Sequence, residues 1–234
     1  MLAIIPARKN SKGLKDKNIK LINGKPLIAY TIEAAIKSKY IDKIFISTDD
    51  ERIIKIASKY KIKIPFLRPK RFATDKSPAI KTYLYTVQKL NKVNPTKVKN
   101  FIVLLPTSPL RNFHDIDNSI KLFYKKKADS VVSMCKSHQP IEWQKYLSQQ
   151  KRIGPIFNKK KSIYNRQLLT PTYVPNGSIY VFKYECLKKN LNYYSKNSFA
   201  YLMPKIRSYD IDDKIDFEII KNFLKKNNRK KFIL

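Results

Sequence analysis

The 234-residue sequence predicts an α/β fold in which helices cover a mostly parallel β-sheet. In the first half, short apolar runs rich in β-branched residues alternate with amphipathic helical stretches, which is the pattern of a parallel sheet covered by helices. Hydrophobic residues make up 43% of the chain, enough to bury a full core. The length favours one large domain, residues 1–234, over two independent domains.

The elements of the first half follow from this pattern in order. Pro26 suits the first position of a helix that reaches about Ser38, and a second helix is expected to end near Tyr60. Before the second helix, residues 48–51 read Thr-Asp-Asp-Glu, a capping-box pattern, and we interpret Asp49 as part of that cap. Buried strands are predicted at Leu2–Ile5, Lys43–Ser47 and Asn100–Leu105.

The second half of the sequence is less regular. His114 and Asp115 are expected at the start of a helix. The stretch from 138 to 173 has weak periodicity and scattered prolines, so we expect loops there and an excursion at about 138–175 that serves dimerisation. The remaining elements are predicted as strands at Ser130–Cys135 and Ser178–Lys183, a helix at about Ile215–Lys226 and a basic tail at Asn227–Leu234.

The composition limits which binding partners and which cellular compartment we expect. The formal charge of +33 raises the question of nucleic-acid binding. The lysines are spread through every segment without a zinc-finger spacing or a ribonucleoprotein-type aromatic motif, so we expect no specific nucleic-acid partner. No apolar run is long enough to cross a bilayer, so no membrane association is expected. The two cysteines form no metal or disulfide pattern, which favours a cytoplasmic protein.

The segment Pro6–Asn18 follows the first predicted strand and holds five cations around a serine and a glycine. Ligands of open α/β sheets bind outside the carboxyl ends of strands, where this segment lies. Its N–H and cationic donors suit the phosphates of a nucleotide, although a solvated lysine-rich loop explains the composition equally well. The spacing matches neither GxxxxGK[ST] nor GxGxxG, which argues against a P-loop ATPase and a dinucleotide-binding oxidoreductase.

Several blocks of the sequence resemble one family when they are taken together. The first segment contains Ile5-Pro6-Ala7-Arg8, Ser11-Lys12-Gly13 and Lys17-Asn18. Further blocks are NGKPLIAY at 23–30, STDD at 47–50, FLRP at 66–69, ATD at 73–75, PTSPLR at 106–111, RQ at 166–167, NGSIY at 176–180 and DID at 210–212. In order and spacing they resemble the acylneuraminate cytidylyltransferase family, the CMP-sialic acid synthetases and their legionaminic and pseudaminic acid counterparts, over nearly the whole chain.

The resemblance implies a Rossmann-like three-layer α/β/α nucleotidyltransferase domain with a small dimerisation excursion, acting as a homodimer. The implied reaction moves CMP from CTP to the anomeric hydroxyl of a sialic-acid-like 2-keto-3-deoxy sugar acid and releases pyrophosphate. Such a transfer depends mainly on positioning and charge neutralisation. The expected partners are therefore CTP and an acidic sugar, and the expected cofactor is Mg²⁺.

The same resemblance implies roles for individual residues. Catalysis is expected of Arg8, Lys12, Lys17 and Asp212. Nucleotide binding is expected of Arg8, Ser11, Lys12, Lys17, Asn18, Arg68 and Ser77. Substrate binding is expected of Thr107, Ser108, Arg166 and Gln167, and metal binding of Asp210 and Asp212.

These residues have simpler interpretations as well. Asp210 and Asp212 alternate, so in an extended segment both carboxylates would face one way and could share a hard cation; without the resemblance they read as an acidic pair before a helix. Arg68 and Arg166 could be ordinary surface cations, but an arginine can also form a paired-donor fork to a base, phosphate or carboxylate. Thr107 and the serine after it could contact substrate or merely end a strand.

Three positions depart from the family and remove polar contacts on the side of the sugar acid. Leu105 stands where sialic acid enzymes have glutamine, Ala79 where a serine is expected and Val174 where an arginine is frequent. In the first loop, Lys9-Asn10 replaces a Gly-Gly pair. A nucleotidyltransferase of the same fold that uses another sugar therefore stays open as an interpretation. A basic nucleic-acid-binding or non-catalytic protein is a third.

Overall fold

The computed structural model describes residues 1–9, 13–93, 95–156 and 165–227. The predicted strands and helices of the first half are all present within about one residue of their expected ends. The elements are β1 (Leu2–Pro6), β2 (Leu21–Ile22), β3 (Lys25–Pro26), α1 (Leu27–Lys37), β4 (Lys43–Ser47), α2 (Glu51–Lys59), α3 (Ala79–Val93), β5 (Asn100–Leu104), α4 (Phe113–Lys125), β6 (Ser130–Lys136), β7 (Lys145–Leu147), β8 (Ile153–Pro155), β9 (Tyr173–Lys183), α5 (Tyr184–Asn190), β10 (Ser198–Leu202) and α6 (Lys214–Asn227).

The central sheet of the described residues has six strands in the order β10-β6-β9-β5-β1-β4. β1 pairs in parallel with β4 and β5, and β6 pairs in parallel with β10, whereas β9 runs antiparallel between β5 and β6. The mostly parallel sheet is thus confirmed. Because β1, β4 and β5 share one direction, their carboxyl ends at Pro6, Ser47 and Leu104 lie along one edge of the sheet.

Helices cover both faces of this sheet, which confirms the three-layer arrangement. In β1 the side chains alternate between faces: Ala3 and Ile5 pack into the core under α1, α2 and α4, whereas Leu2 and Ile4 pack into the core under α3 and α5. Both sets are buried, as expected for a strand covered on both sides. Full burial of one such side chain contributes about 1.5–3 kcal/mol to the hydrophobic stabilisation.

A third apolar cluster joins the loop after β1 to the segment before α6. Leu14 from the loop and Ile22 from β2 pack with Ile211 and with Phe217 on α6. Gly13 lies so close to this segment that a Cβ on it would stand 2.1 Å from the carbonyl oxygen of Asp212. Glycine therefore allows the two backbones to meet.

Two local expectations are corrected by the structure. Pro26 does not begin α1; its ψ of 141° is extended, it pairs with Leu21 and it precedes the helix as the N-cap. The N-cap of α2 is Asp50, whose side chain accepts the backbone N–H of Arg52, and it lies two residues after Thr48, the first residue of the capping-box pattern. Asp49 takes no part in that cap and accepts a hydrogen bond from the backbone of the first loop.

The start of α4 is as expected around His114 and Asp115. Asn112 is the N-cap, and its side chain and that of Asp115 bond each other's backbone N–H groups at 3.0 and 3.1 Å in a capping box. Among the helices of the described residues, none combines the length and the apolar character that crossing a membrane requires.

The predicted excursion contains a short hairpin. β7 and β8 pair with each other in a separate two-stranded sheet. Their large apolar side chains face solvent, with Leu147 69% and Ile153 74% exposed. The predicted loops therefore include regular structure. The predicted tail beyond Asn227 lies outside the described residues.

Candidate functional site

A cleft of about 720 Å³ lies at the carboxyl ends of β1, β4 and β5. The predicted site residues that line it are Arg8, Lys17, Asn18, Arg68, Ser77, Thr107 and Asp212. They come from five separate segments that only the fold brings together. A second groove of about 740 Å³ lies beside Lys43–Phe45 at the edge of the sheet, and its described lining contains no predicted site residue. The cleft is therefore the candidate site.

The loop after β1 forms one wall of the cleft. Asn18 is buried in a short 3₁₀ turn, and its side-chain amide donates to the carbonyl of Arg8 at 3.0 Å, which ties the two arms of the loop together. The Arg8 guanidinium forms an ion pair of 2.5 Å with Asp75, which also lines the cleft. Ser11 and Lys12 lie outside the described residues.

Lys17 is directed by the segment before α6. Its ammonium donates to the carbonyl oxygen of Ile211 at 2.6 Å and lies 3.4 Å from Asp212 Oδ1. The side chain is only 11% exposed, so its stem is packed while its charged end reaches the cleft. The ammonium is thereby held in place before any ligand arrives.

Arg68 is a buried cation in the cleft wall. Its guanidinium donates to the carbonyl oxygen of Ser47 and, through Nε, to the Ser47 hydroxyl at 3.2 Å. Burial lowers the pKa of Arg68 to about 10, and the nearby charge of Asp49 partly offsets this. Burying a cation is costly without an anionic partner, so a ligand phosphate or a base oxygen would gain a strong donor here.

Ser77 lies on the rim of the cleft. Its hydroxyl donates to the carbonyl of Arg71 at 2.6 Å and lies 2.7 Å from the hydroxyl of Thr74. These bonds fix a turn that precedes α3. The rim is therefore ordered by its own polar side chains.

Thr107 and Ser108 follow β5 and contact the acidic pair. Ser108 is fully buried and donates to Asp210 Oδ1 at 3.3 Å, and the Thr107 carbonyl accepts the backbone N–H of Ile211 at 2.9 Å. Burial and the neighbouring charge of Asp212 raise the pKa of Asp210, while hydrogen bonds from the two hydroxyls and the Lys17 charge act in the opposite direction. The buried Asp210 carboxylate therefore ionises less readily than an exposed aspartate.

This carboxylate pair fits a hard divalent cation. Mg²⁺ prefers oxygen ligands and uses one or two carboxylates together with water and substrate phosphates. Within the described residues, no group of three or more His, Cys, Asp or Glu side chains could enclose a metal ion. Asp212 lines the cleft and is 82% exposed, whereas Asp210 is not among the described residues of the lining and accepts from Ser108. The exposed carboxylate of Asp212 could bind a cation together with a ligand in the cleft.

Arg166 and Gln167 lie apart from the other predicted residues. They line a smaller cavity of about 290 Å³ with Lys136, Ser137 and residues 169–172. Arg166 donates to the carbonyl of His138 at 3.2 Å. Within the described part of the chain, neither residue belongs to the lining of the main cleft.

Two of the three departures from the family lie on the cleft wall. Ala79 and Leu105 line it beside Tyr83. Val174 is on β9 opposite Cys135, is 43% exposed and is not among the described residues that line the cleft. The expectation that all three lie on one side of the site is therefore wrong for Val174.

Sequence reasoning missed several residues around the cleft. Asp75 is part of the ATD block but has no predicted role, and its ion pair with Arg8 joins residues that are 67 positions apart in the sequence. Tyr83 is buried on α3, a helix for which we made no prediction. Arg111 is also buried and donates to the carbonyls of Leu105 and Ser178 at 3.1 and 2.9 Å, which braces the end of β5. Arg111 also donates to the Thr31 hydroxyl at 2.6 Å, and all three partners are distant from one another in sequence, so no local pattern indicated this bracing.

The fold and the cleft together define an open α/β sheet with a ligand cleft at the carboxyl ends of its strands. Two solved structures share the fold at 15% identity. One is a CMP:2-keto-3-deoxy-manno-octonic acid synthetase complexed with CTP, with a TM-score of 0.68 over 97% of this chain and 98% of that one. The other is a 4-diphosphocytidyl-2C-methyl-D-erythritol synthase from Anaerococcus prevotii, with a TM-score of 0.65 over 96% and 95%.

Sequence comparison then gives the family. The family model described as cytidylyltransferase matches residues 2–233, so the chain belongs to the cytidylyltransferase family. An N-acylneuraminate cytidylyltransferase of Escherichia coli is 35% identical over all of this chain, which spans 54% of that relative's length. A CMP-N,N'-diacetyllegionaminic acid synthase of Legionella pneumophila is 34% identical over 97% of both chains. A pseudaminic acid cytidylyltransferase of Campylobacter jejuni is 30% identical over 99% of both.

Proposed function

We propose that this chain transfers CMP from CTP to the anomeric hydroxyl of a sialic-acid-like 2-keto-3-deoxy sugar acid and releases pyrophosphate. The observation that carries the proposal is the convergence of Arg8, Lys17 and Arg68 with Asp212 in one cleft at the carboxyl edge of the sheet. The names of the relatives from Escherichia coli, Legionella pneumophila and Campylobacter jejuni support the choice of sugar.

The reaction forms a bond from the anomeric oxygen to the α-phosphorus and breaks the bond from that phosphorus to the α–β bridging oxygen. The hydroxyl gives up its proton to water, and negative charge collects on the departing pyrophosphate. Arg8 and Lys17, which line the cleft, would offset this charge, and Ser11 and Lys12 would join them by the family resemblance. For Arg8 to do so, its ion pair with Asp75 has to open or rearrange around the phosphates.

The nucleoside and the acceptor would occupy different parts of the cleft. Asn18, Arg68 and Ser77 would hold the cytidine end, and Thr107 and Ser108 would face the sugar acid. Asp210 and Asp212 would hold Mg²⁺, which when bound supplies positive charge to the phosphate oxygens. Its expected ligands besides the two carboxylates are water and phosphate oxygens.

The proposal includes a homodimer in the cytoplasm. Large apolar side chains are exposed on the excursion, and a second copy would remove them from water; they are Tyr146, Leu147, Ile153 and Leu168. A second copy would also give Arg166 and Gln167, which lie outside this cleft, a route to a bound sugar acid. Two free cysteines are consistent with a reducing compartment.

The test is a panel of sugar acids incubated with CTP and Mg²⁺, with pyrophosphate release as the measurement. We expect release with at least one nonulosonic acid, and loss of release when EDTA removes the metal. ATP, GTP and UTP serve as matched controls. Turnover of one of these instead of CTP would contradict the cytidine assignment.

The same purified protein can be used to test the two alternative functions. Release of pyrophosphate from CTP with a different class of sugar only would favour the second interpretation, for which Ala79 and Leu105 on the cleft wall are the motivating observation. Salt-sensitive binding to mixed DNA or RNA that is tighter than binding to CTP would favour a nucleic-acid-binding protein.

A further inference from the structure

The loop after β1 is fastened on both of its flanks to the start of α2. On one flank, the backbone N–H of Lys9 donates to Asp49 Oδ1 at 2.8 Å. On the other, Asp16 Oδ1 accepts from the Arg52 guanidinium at 2.6 Å. The junction of β4 and α2 thus contacts the loop at Lys9 and again at Asp16.

Arg52 makes this second contact as part of a three-residue network. Its Nε lies 3.0 Å from Asp50 Oδ1, and its Nη2 lies 2.7 Å from Asp50 Oδ2 and 2.6 Å from Asp16. The Asp50 side chain is only 4% exposed, so this carboxylate anchors the fork firmly in the protein. A planar guanidinium can hold two carboxylates at once in fixed directions, and a lysine ammonium cannot reproduce that geometry.

Asp16 directly precedes Lys17 and Asn18, which line the cleft. Its backbone has a φ of 54°, in the left-handed region, and it is the N-cap of the turn that begins with Lys17 and Asn18. Its carbonyl accepts the N–H groups of Ile19 and Lys20 at 3.0 and 3.1 Å. Holding the Asp16 side chain therefore fixes the direction in which Lys17 and Asn18 leave the loop.

We propose that Asp49 and Arg52 are positioning residues that hold the loop after β1 in the shape that receives a nucleoside triphosphate. Neither residue lines the cleft among the described residues. Arg52 therefore acts through the loop, whereas Asp49 acts through the loop and through its charge near Arg68. This inference rests on the proposed function for the identity of the ligand. The fastening of the loop itself depends only on the two contacts.

The competing explanation is that these residues only stabilise the start of α2, because Asp50 is the N-cap of that helix. Two variants separate the explanations. Arg52→Lys keeps a cation beside Asp50 but removes the planar guanidinium that also binds Asp16. Asp16→Asn leaves Asp50 and its cap untouched, and asparagine tolerates the left-handed backbone.

The Asp49 contact has its own conservative pair of variants. Asp49→Ala removes the oxygen that accepts from Lys9, whereas Asp49→Asn retains an acceptor of the same size. The matched control is Lys25→Gln, which removes the exposed Lys25–Glu33 ion pair of 2.7 Å away from the cleft. Its partners have about the same exposure as Arg52 and Asp16.

The experiment combines amide hydrogen exchange without ligand and calorimetric titration with CTP and Mg²⁺. We expect Asp49→Ala, Arg52→Lys and Asp16→Asn to speed exchange in peptides covering residues 7–20 and to weaken CTP binding on the order of fivefold. Asp49→Asn should restore both. The Arg52→Lys, Asp16→Asn double variant should be no weaker than the worse single variant, because both break one contact.

Unchanged exchange in the loop of Asp49→Ala and Arg52→Lys would overturn the proposal. So would faster exchange with unaltered CTP affinity, or a Lys25→Gln control that behaves like the test variants. A wild-type protein that binds no CTP would contradict the proposed function instead. In that case the exchange measurement still decides whether these residues hold the loop.

Discussion

The two walls of the cleft are built differently. On the wall formed by the loop after β1, Arg8, Lys17 and Asn18 each have a polar partner within the protein. The wall formed by the start of α3 and the end of β5 presents Ala79 and Leu105, which carry no hydrogen-bonding side chain. The cations of the loop are concentrated on the first wall, whereas the second, called the apolar wall below, presents these two apolar side chains beside Thr82 and Tyr83 and, among the described residues, no charged group.

This difference indicates how the site divides its work. A charged transition state is stabilised best by donors that are already held in place, because they then pay no reorganisation cost during the reaction. An apolar wall discriminates between acceptors by shape and by which hydroxyl groups it leaves unpaired. We therefore expect changes on the loop wall to alter the rate, and changes on the apolar wall to alter the choice of sugar acid.

The largest effect is expected from Asp212→Asn. This change removes the carboxylate that faces the cleft and would lower kcat/KM for pyrophosphate release by at least about 100-fold. Folding should be intact, because Asp212 is exposed and exposed ion pairs contribute about 1 kcal/mol or less. Thermal unfolding checks this. Near-normal activity would refute the metal role, and Glu218→Gln, an exposed change on α6, is the control.

Lys17→Met is expected to have the next largest effect. The ammonium is held by the carbonyl of Ile211 at 2.6 Å, so its loss removes a fixed positive charge from the loop wall. Charged hydrogen bonds of this kind correspond to a fall in kcat/KM of about 10- to 100-fold. Lys15→Met removes the same charge from an exposed position in the same loop. An equal fall in kcat/KM in the two variants would mean that the enzyme depends only on its overall positive electrostatic potential and not on the position of Lys17.

A smaller effect, confined to the acceptor, is expected from Leu105→Gln. An amide on the apolar wall can hydrogen-bond sugar hydroxyls, so KM for a hydroxyl-rich sugar acid should fall by about 2- to 10-fold. KM for CTP should be unchanged. Steady-state kinetics with both substrates varied would check this. If KM for CTP moved as much as KM for the sugar acid, the division between the two walls would be wrong.

The loop wall could be predicted from the sequence because its residues follow one strand. A buried β-branched run before Pro6 and a cation-rich segment after it place Arg8, Lys17 and Asn18 at the carboxyl edge of the sheet. The family resemblance then added Arg68 and Asp212, which are distant in sequence. Both line the same cleft.

Other parts could not be predicted, because their determinants are long-range. Tyr83, Val87 and Leu90 recur on α3 at helical spacing, so the helix itself has a sequence signal, whereas its position against β1 and β5 follows only from packing. The role of Asp49 was misread for a related reason. A capping-box pattern is local, but the backbone N–H that this carboxylate accepts belongs to Lys9, which is 40 positions away.

The smallest expected effect concerns acid stability of the loop wall. Hydrogen bonds from Arg52 lower the pKa values of Asp50 and Asp16 below their ordinary value of 3.8. A carboxylate with a lowered folded-state pKa stabilises the fold above the ordinary value, and loses that contribution as the pH falls through the lowered pKa. The stability advantage of the wild type over Arg52→Met should therefore be present at pH 7 and should shrink below pH 3.8.

Urea unfolding at pH 7 and about pH 3 measures this difference. Leu105→Gln on the apolar wall is the control. Neither leucine nor glutamine titrates, so the stability difference between this variant and the wild type should be the same at the two pH values. A difference for Arg52→Met that stays constant on acidification would mean that the guanidinium stabilises the wall by packing of its stem. In that case packing, and not charge, would stabilise the loop wall. The two walls would then differ only in the side chains that they present to the cleft.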